Sequence, residues 1–245
     1  MKAIPYIIRG EHVSYQYIKE NLDQIHSAVN QACDRSGRRP DDIQLVAVTK
    51  TVEADVMNAA VEFGVNIVGE NRVQEIRRKF DDVQKGPKWH LIGHLQTNKV
   101  KYIIDKVDMI HSVDSFRLAE EISKRAEKAD RQIEILLQVN VAGEDQKFGV
   151  EPNQLEPLIH EIQSLNGVKI KGLMLIAPYA DDPEDVRPVF RRLKEIFDDL
   201  KNKEYKNVDL QYLSMGMTND FEVAIEEGAN FIRVGSGIFG ARTYK

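Results

Sequence analysis

Eight short apolar runs alternate with longer stretches of helical spacing along this 245-residue chain. Strands and helices that alternate in this way are typical of repeated βαβ units, which build a parallel sheet. Eight units predict an α/β fold closed into a (β/α)8 barrel of the TIM type, preceded by an additional helix at about residues 14–35. The apolar runs lie at residues 43–49, 65–68, 89–92, 109–112, 133–139, 170–175, 210–213 and 231–234, and the helical stretches at 52–63, 71–83, 115–129, 151–165, 183–201 and 220–227.

The length suits one barrel, and we predict a single domain over residues 1–245 with residues 1–13 as an unassigned extension. No stretch rich in Pro, Gly or Ser divides the chain. An open doubly wound sheet is the alternative fold. Its G-x-G-x-x-G fingerprint does not follow the first apolar run, where Thr51 and Val52 stand instead.

The composition narrows the class of partner. A net charge of −5 gives no overall basic field for nucleic acid or an anionic membrane. Cys33 is the only cysteine, so an intrachain disulfide and a thiolate metal cluster are excluded. No apolar run reaches the roughly 18 residues of a membrane span. We therefore expect a cytoplasmic protein that binds neither nucleic acid nor a membrane.

The first apolar run ends on Lys50, in "LVAVTKTV". A solvated ammonium group is the commoner explanation for a single lysine. In a barrel, however, every strand directs its carboxyl end to the same mouth, where barrel enzymes place their chemistry. The other ends include "GEN" after the second run, "SMGMTND" after the seventh and "GSGIFGAR" after the eighth.

The last two of these ends together predict an anion site. "SMGMTND" places hydroxyl groups and a glycine just before a helix, whose free N–H groups attract anions. In "RVGSG", Gly235 and Gly237 expose backbone N–H groups beside Ser236. Taken singly, the first segment is an ordinary helix cap and the second a flexible turn. Their adjacency favours phosphate, which barrels often hold near the loops after strands seven and eight.

Arg233 shares strand parity with Gly235 and is predicted to point into the barrel. A buried guanidinium needs acceptors, and either a structural carboxylate or a ligand would serve. His90 and His94 do not indicate a metal site, because four residues of strand separate them by roughly 13 Å.

A lysine opposite an anion site indicates Schiff-base chemistry, since a neutral ε-amine attacks carbonyl groups. A sugar phosphate and pyridoxal phosphate both fit these requirements.

The ordered motifs also resemble those of a known family, the pyridoxal-phosphate homeostasis proteins. They run from about residue 14 to Arg242 and include "LVAVTKTV", "FGVNIVGENRVQE", "WHLIGHLQTNKVK", "LLQVNVAGEDQKFG" and "LSMGMTNDFEVAIEEGANFIRVGSGIFGAR". The resemblance implies the barrel of the alanine racemase N-terminal domain, the fold type III architecture, with pyridoxal 5′-phosphate as cofactor. It implies an aldimine on Lys50, Asn71 beside the ring, Arg233 at the pyridine nitrogen, and phosphate contacts from Ser214, Thr218, Gly235 and Ser236.

The resemblance further implies a carrier that buffers the cofactor, with apo pyridoxal enzymes as possible acceptors. Thr218 and Ser236 replace a serine and a threonine that are usual in the family, and both keep a hydroxyl. The alternatives are a low-efficiency amino-acid racemase and a lysine-dependent aldolase. Alanine racemase takes its second base from a further domain, and no segment after the eighth run supplies one here, so we expect no efficient turnover. We expect Lys99 and Lys147 to be solvated rather than to form a second cofactor site.

Overall fold

The computed structural model of the protein describes residues 15–84, 86–143 and 148–240. The extension predicted at residues 1–13, the lysine at position 147 and the end of the family motif at Arg242 lie outside these described residues.

Eight parallel strands close into a barrel in chain order, with β8 hydrogen-bonded to β1. This closure confirms the α/β barrel and rules out the open doubly wound sheet. The strands are β1 (Gln44–Val48), β2 (Ile67–Glu70), β3 (Lys88–Leu91), β4 (Met109–Val113), β5 (Ile133–Gln138), β6 (Val168–Met174), β7 (Val208–Met217) and β8 (Phe231–Val234).

Helices precede the barrel, connect its strands and follow the last one. They are α1 (Gln16–Ser36), α2 (Ala54–Glu62), α3 (Val73–Lys79), α4 (Phe116–Lys128), α5 (Pro152–Ile162), α6 (Arg187–Lys201), α7 (Phe221–Glu226) and α8 (Ser236–Phe239). The crossover from β3 to β4 runs through a 3-10 helix, Thr97–Tyr102, which the sequence pattern did not predict. No helix within the described ranges combines the length and the apolar character that a membrane span requires.

Side chains alternate across the sheet because successive strand residues point to opposite faces. Val46 and Val48 belong to a small apolar cluster inside the barrel, whereas Ala47 between them belongs to the larger core under the helices. Lys50 follows Val48 by two residues, and extension of this parity predicts an inward direction for its side chain. The sheet therefore places Lys50 at the carboxyl end of β1.

Helix α1 covers the barrel beside the last helices of the chain. Its buried residues recur at helical spacing, which lets one apolar stripe pack against the fold. Asn21 donates from Nδ2 to the carbonyl oxygen of Ile238 on α8, at 2.8 Å. Arg35 pairs with Glu222 and Glu226 around α7, at 2.8 and 2.6 Å. The first helix therefore supports the loop that follows the last strand.

Strand β7 is longer than predicted. The sequence pattern ended this strand at residue 213 and treated "SMGMTND" as a loop, but β7 continues to Met217. Ser214 pairs with Phe231, while Met217 pairs with Arg233, so one extra residue is accommodated in a bulge. Gly216 takes a φ of 90° there, and a Cβ at this position would lie 2.6 Å from Ala224 Cβ. Ser214 is consequently a strand residue inside the barrel, and Thr218 begins the loop.

Candidate functional site

Lys50 lies in a turn at the carboxyl end of β1. Val52 N–H donates to the Thr49 carbonyl oxygen at 2.9 Å and closes this turn, with Thr51 at a φ of 66°. Lys50 is partly exposed. Its place just beyond β1 puts Lys50 at the carboxyl end of the barrel.

Asn71 follows β2 directly and is the neighbour of Lys50 across the sheet, since Val48 pairs with Gly69 two residues earlier on each strand. The loop after β3 crosses close to it. A Cβ on Gly93 would lie 2.3 Å from the Asn71 carbonyl oxygen, so a side chain at position 93 would displace Asn71. Ser112 donates to the Gly93 carbonyl at 2.7 Å and fixes this close approach.

The loops after β7 and β8 meet at the same end of the barrel. Ser236 Oγ lies 3.3 Å from Thr218 Oγ1. A Cβ on Gly237 would lie 3.3 Å from Thr218 Cγ2 and 2.8 Å from Val234 Cγ1, so glycine permits the two loops to pack this closely. Ser236 is the first residue of α8, where backbone N–H groups have no partner within the helix. Two hydroxyls and helix-terminal amides thus converge, as an anion site requires.

Arg233 points into the barrel and is buried. Its guanidinium donates to Ser214 Oγ at 2.7 Å and to the Leu175 carbonyl oxygen at 2.8 Å. Burial lowers the pKa of Arg233 to about 10, and the nearby Asp220 acts in the opposite direction. A guanidinium has five N–H donors, and these two bonds occupy only two of them. Donor capacity therefore remains for a ligand atom.

Two histidines extend the Arg233 contacts across the barrel. His111 Nδ1 lies 2.9 Å from Ser214 Oγ, and His111 Nε2 lies 2.9 Å from His90 Nδ1. Because Arg233 already donates to Ser214, the serine either gives its own proton to His111 or accepts a second hydrogen bond. In the first case the His111 proton is on Nε2, which donates to His90 Nδ1; in the second it is on Nδ1, and Nε2 accepts from His90. We call His90, His111, Ser214 and Arg233 the histidine relay.

Both histidines of the relay are neutral. Burial lowers the pKa of His90 to about 3, with a smaller contribution from Lys88. Burial likewise pushes the pKa of His111 well below its ordinary value, and His90 and Arg233 reinforce this shift. Arg233 is thus the charged member of the relay.

The histidine pair considered from the sequence, His90 and His94, does not form. His94 stacks on Phe148 with ring centroids 3.8 Å apart and lies 4.0 Å from Asp114. Across the part of the chain that the structure describes, no cluster of three His, Cys, Asp or Glu side chains could hold a metal ion.

The predicted site residues fall into three groups at the mouth and just below it. Lys50 and Asn71 follow the carboxyl ends of the neighbouring strands β1 and β2. Thr218 contacts Ser236, which follows Gly235 at the junction of β8 and α8. Arg233 and Ser214 are hydrogen-bonded to each other inside the barrel. Sequence reasoning missed His111 and the true partner of His90. The available signal was strand parity, since His111 lies two residues from Met109, which faces the barrel interior.

The fold is a closed parallel barrel with a lysine after β1 and adjoining hydroxyl-bearing loops after β7 and β8 at the same end, an arrangement that fits the class of cofactor-binding barrels. Residues 18–243 match the family described as alanine racemase, N-terminal domain. A pyridoxal phosphate homeostasis protein of Aquifex aeolicus is 47% identical over 226 residues, which cover 92% of this chain and 98% of that protein. Its namesake in Pseudomonas aeruginosa is 35% identical over 228 residues, covering 93% and 96%.

A solved structure of PipY from Synechococcus elongatus, with pyridoxal phosphate bound, has a TM-score of 0.79 and 34% identity. The similarity covers 91% of this chain and 100% of that one. The chain belongs to the pyridoxal phosphate homeostasis protein family.

Proposed function

We propose that this protein binds pyridoxal 5′-phosphate at the barrel mouth, holds it as a Schiff base on Lys50 and carries it in intracellular cofactor homeostasis. The observation that supports this most directly is a lysine just after β1, at the same end of the barrel as the paired hydroxyls of Thr218 and Ser236. The names of the relatives and the ligand of PipY favour pyridoxal phosphate over a sugar phosphate.

The phosphate fits the loops after β7 and β8. Thr218, Gly235 and Ser236 provide hydroxyl and backbone donors within one small region, and the glycines allow the backbone to approach a ligand closely. Ser214 was predicted as a further phosphate ligand. Because its hydroxyl already bonds to Arg233 and His111, we assign Ser214 to the support of Arg233 rather than to the phosphate.

We place the pyridine nitrogen opposite Arg233 and the ring beside Asn71. When bound, the cofactor supplies an electrophilic aldehyde and an electron-withdrawing ring. A cationic guanidinium donates to the pyridine nitrogen but disfavours its protonation, because two positive charges would then adjoin. The neutral relay histidines supply no negative charge that would favour protonation of the pyridine nitrogen. These residues weaken the ring as an electron sink, which suits storage better than carbanion chemistry.

Attachment to Lys50 is reversible. The neutral Nζ adds to the aldehyde carbon, and the loss of one water molecule leaves a carbon–nitrogen double bond. Water or another amine reverses the step and returns the free lysine. A bond of this kind retains the cofactor and still permits its release, as a carrier requires.

Reduction with borohydride tests the attachment. Protein loaded with pyridoxal phosphate is expected to be yellow, and reduction should leave the cofactor on the peptide that contains Lys50, as mass spectrometry would locate it. Protein reduced before the cofactor is added serves as the control. Label spread evenly over surface lysines would contradict the proposal, and a colourless protein would favour an aldolase.

Transfer to an apo enzyme tests the carrier role. Loaded protein is expected to activate an apo pyridoxal enzyme faster than its cofactor dissociates into solution, since direct handover bypasses the free state. Stopped-flow activation and independently measured dissociation would be compared. Activation limited by dissociation contradicts handover. Rapid exchange of an amino-acid α-proton in deuterated water would instead favour the racemase alternative.

A further inference from the structure

A buried ion cluster lies behind Lys50, on the opposite face of the sheet from the barrel interior. Lys79 at the end of α3 is only 1% exposed, and Glu70 at the end of β2 is fully buried. Lys79 Nζ lies 2.9 Å from Glu70 Oε1 and 2.7 Å from Glu75 Oε2. Its third contact is with a neutral group, the Thr49 carbonyl oxygen, at 2.9 Å.

The cluster therefore holds the residue immediately before Lys50. Thr49 Oγ1 donates to Glu70 Oε1 at 2.8 Å, and the Thr49 N–H donates to the Gly69 carbonyl at 3.0 Å. The Thr49 carbonyl accepts from both Lys79 and Val52. Every polar group of Thr49 is bonded, so its peptide plane is fixed.

The turn that follows needs this restraint. Thr51 is β-branched and takes a left-handed φ of 66°, a conformation that is strained for such a residue. Such backbone persists only where surrounding contacts over-determine it. The hydrogen bonds of Thr49 restrain the backbone on one side of the turn. Lys50 lies between Thr49 and the strained residue Thr51.

Stability alone does not account for the cluster. A buried ion pair can commonly be replaced by well-packed apolar residues without loss, because desolvation offsets the attraction. Glu70 Oε2 moreover finds no hydrogen-bond partner among the residues that the structure describes, and burial raises the pKa of Glu70 in spite of Lys79. Apolar side chains would avoid these costs, but they could not donate a hydrogen bond to the Thr49 carbonyl.

We propose that Lys79 and Glu70 are positioning residues that fix the turn at residues 49–52 and so aim Lys50 into the barrel mouth. They touch no ligand and act through Thr49. The inference rests on the proposed function, in which the Lys50 Nζ bonds to the cofactor aldehyde. It assigns the pair to the formation of that bond and not to recognition of the phosphate.

Two ligands distinguish the bond to Lys50 from recognition of the ring and phosphate. Pyridoxal 5′-phosphate and pyridoxine 5′-phosphate share the ring and phosphate, but the second has an alcohol in place of the aldehyde. The dissociation constant of pyridoxine phosphate divided by that of pyridoxal phosphate reports the contribution of the bond to Lys50. In Lys79→Met we expect the ratio to fall about 10- to 100-fold, since small displacements of a reacting group have effects of this size. Pyridoxine phosphate should bind within about twofold of its original affinity.

Lys171→Met is the matched control. Lys171 is also a buried lysine in an ion pair, 2.7 Å from Asp209, but it lies in the middle of β6 and its partner lies at the amino end of β7, away from the mouth. Its loss should lower the melting temperature without changing the ratio. A Lys79→Met protein that melts earlier but keeps the original ratio would show a merely structural role and overturn the inference.

Lys79→Met leaves Glu70 without its counter-charge, and this can prevent folding. The double variant Lys79→Met, Glu70→Gln removes both charges and still lacks the ammonium donor to Thr49. It is expected to show the same fall in the ratio, and an unchanged ratio in the folded double variant overturns the inference. If the unsubstituted protein binds both ligands equally, the proposed function itself has failed.

Discussion

Replacing Lys50 with alanine is expected to abolish the absorption band of the imine and the borohydride-trapped cofactor at this site. No other group in the proposed site can form the imine, whereas the phosphate contacts of Thr218 and Ser236 are untouched. Binding should therefore persist but weaken by roughly 100-fold, or about 2.7 kcal/mol. Absorbance spectra and equilibrium dialysis of the two proteins would measure both effects.

Lys99→Ala is the matched control for this experiment. Lys99 is also partly exposed and lies in the 3-10 helix that follows β3. Its replacement should leave the colour and affinity unchanged. If Lys50→Ala retains the imine band, or if Lys99→Ala loses it, the imine must form on a lysine other than Lys50. Because Lys50 is partly exposed, its truncation should change the free energy of unfolding by no more than about 0.5 kcal/mol.

Acid is expected to destabilise the cofactor-free protein through the two relay histidines. Their folded-state pKa values are lowered, so both stay neutral in the fold, while in the unfolded chain they bind protons below pH 6.5 or so. The unfolded state then holds more protons, and stability falls as the pH falls. Two histidines predict a loss of about 2 kcal/mol between pH 6.5 and 5.5, and the decline continues toward the low pKa of His90.

Urea unfolding at the two pH values would measure this loss. His90→Gln keeps a hydrogen-bonding side chain opposite His111 and should halve the loss to about 1 kcal/mol. His26→Gln removes an exposed histidine on α1 and should leave the loss as it was. Carboxylates titrate alike in all three proteins and cancel in the comparison. An equal pH response in His90→Gln and the parent would contradict the buried neutral state of His90.

Local pattern was sufficient to predict the barrel and the carboxyl ends of most of its strands. Buried parallel strands appear as continuous apolar runs, and their carboxyl ends identify the mouth, which drew attention to Lys50 and to the loops that contain Thr218 and Ser236. The role expected of Asn71 came from the family resemblance. Ser214 was misplaced in a loop because Gly216 has the appearance of a loop residue. In the structure it accommodates a bulge that extends β7.

The remaining parts of the site depend on contacts between distant positions. The bond between His111 and Ser214 joins residues 103 apart, and its recognition requires the register of several strands. Lys79 was hidden for a different reason. It follows Arg77 and Arg78 at the end of a helix, where a basic run indicates a solvated surface, so its burial could not be read from its charge.

The hydrogen bond from Asn21 to Ile238 bears on when the protein becomes able to hold its cofactor during synthesis. It joins positions 217 residues apart, so the loop that carries Ser236 gains this support only after all eight strands have been made. Contacts of such long sequence separation form late because loop closure must precede them. A nascent chain that has not reached β8 therefore has Lys50 but lacks half of the proposed phosphate site. In the proposed function, capture of the aldehyde is thus coupled to synthesis of β8 and the loop after it, and stable occupancy requires a closed barrel.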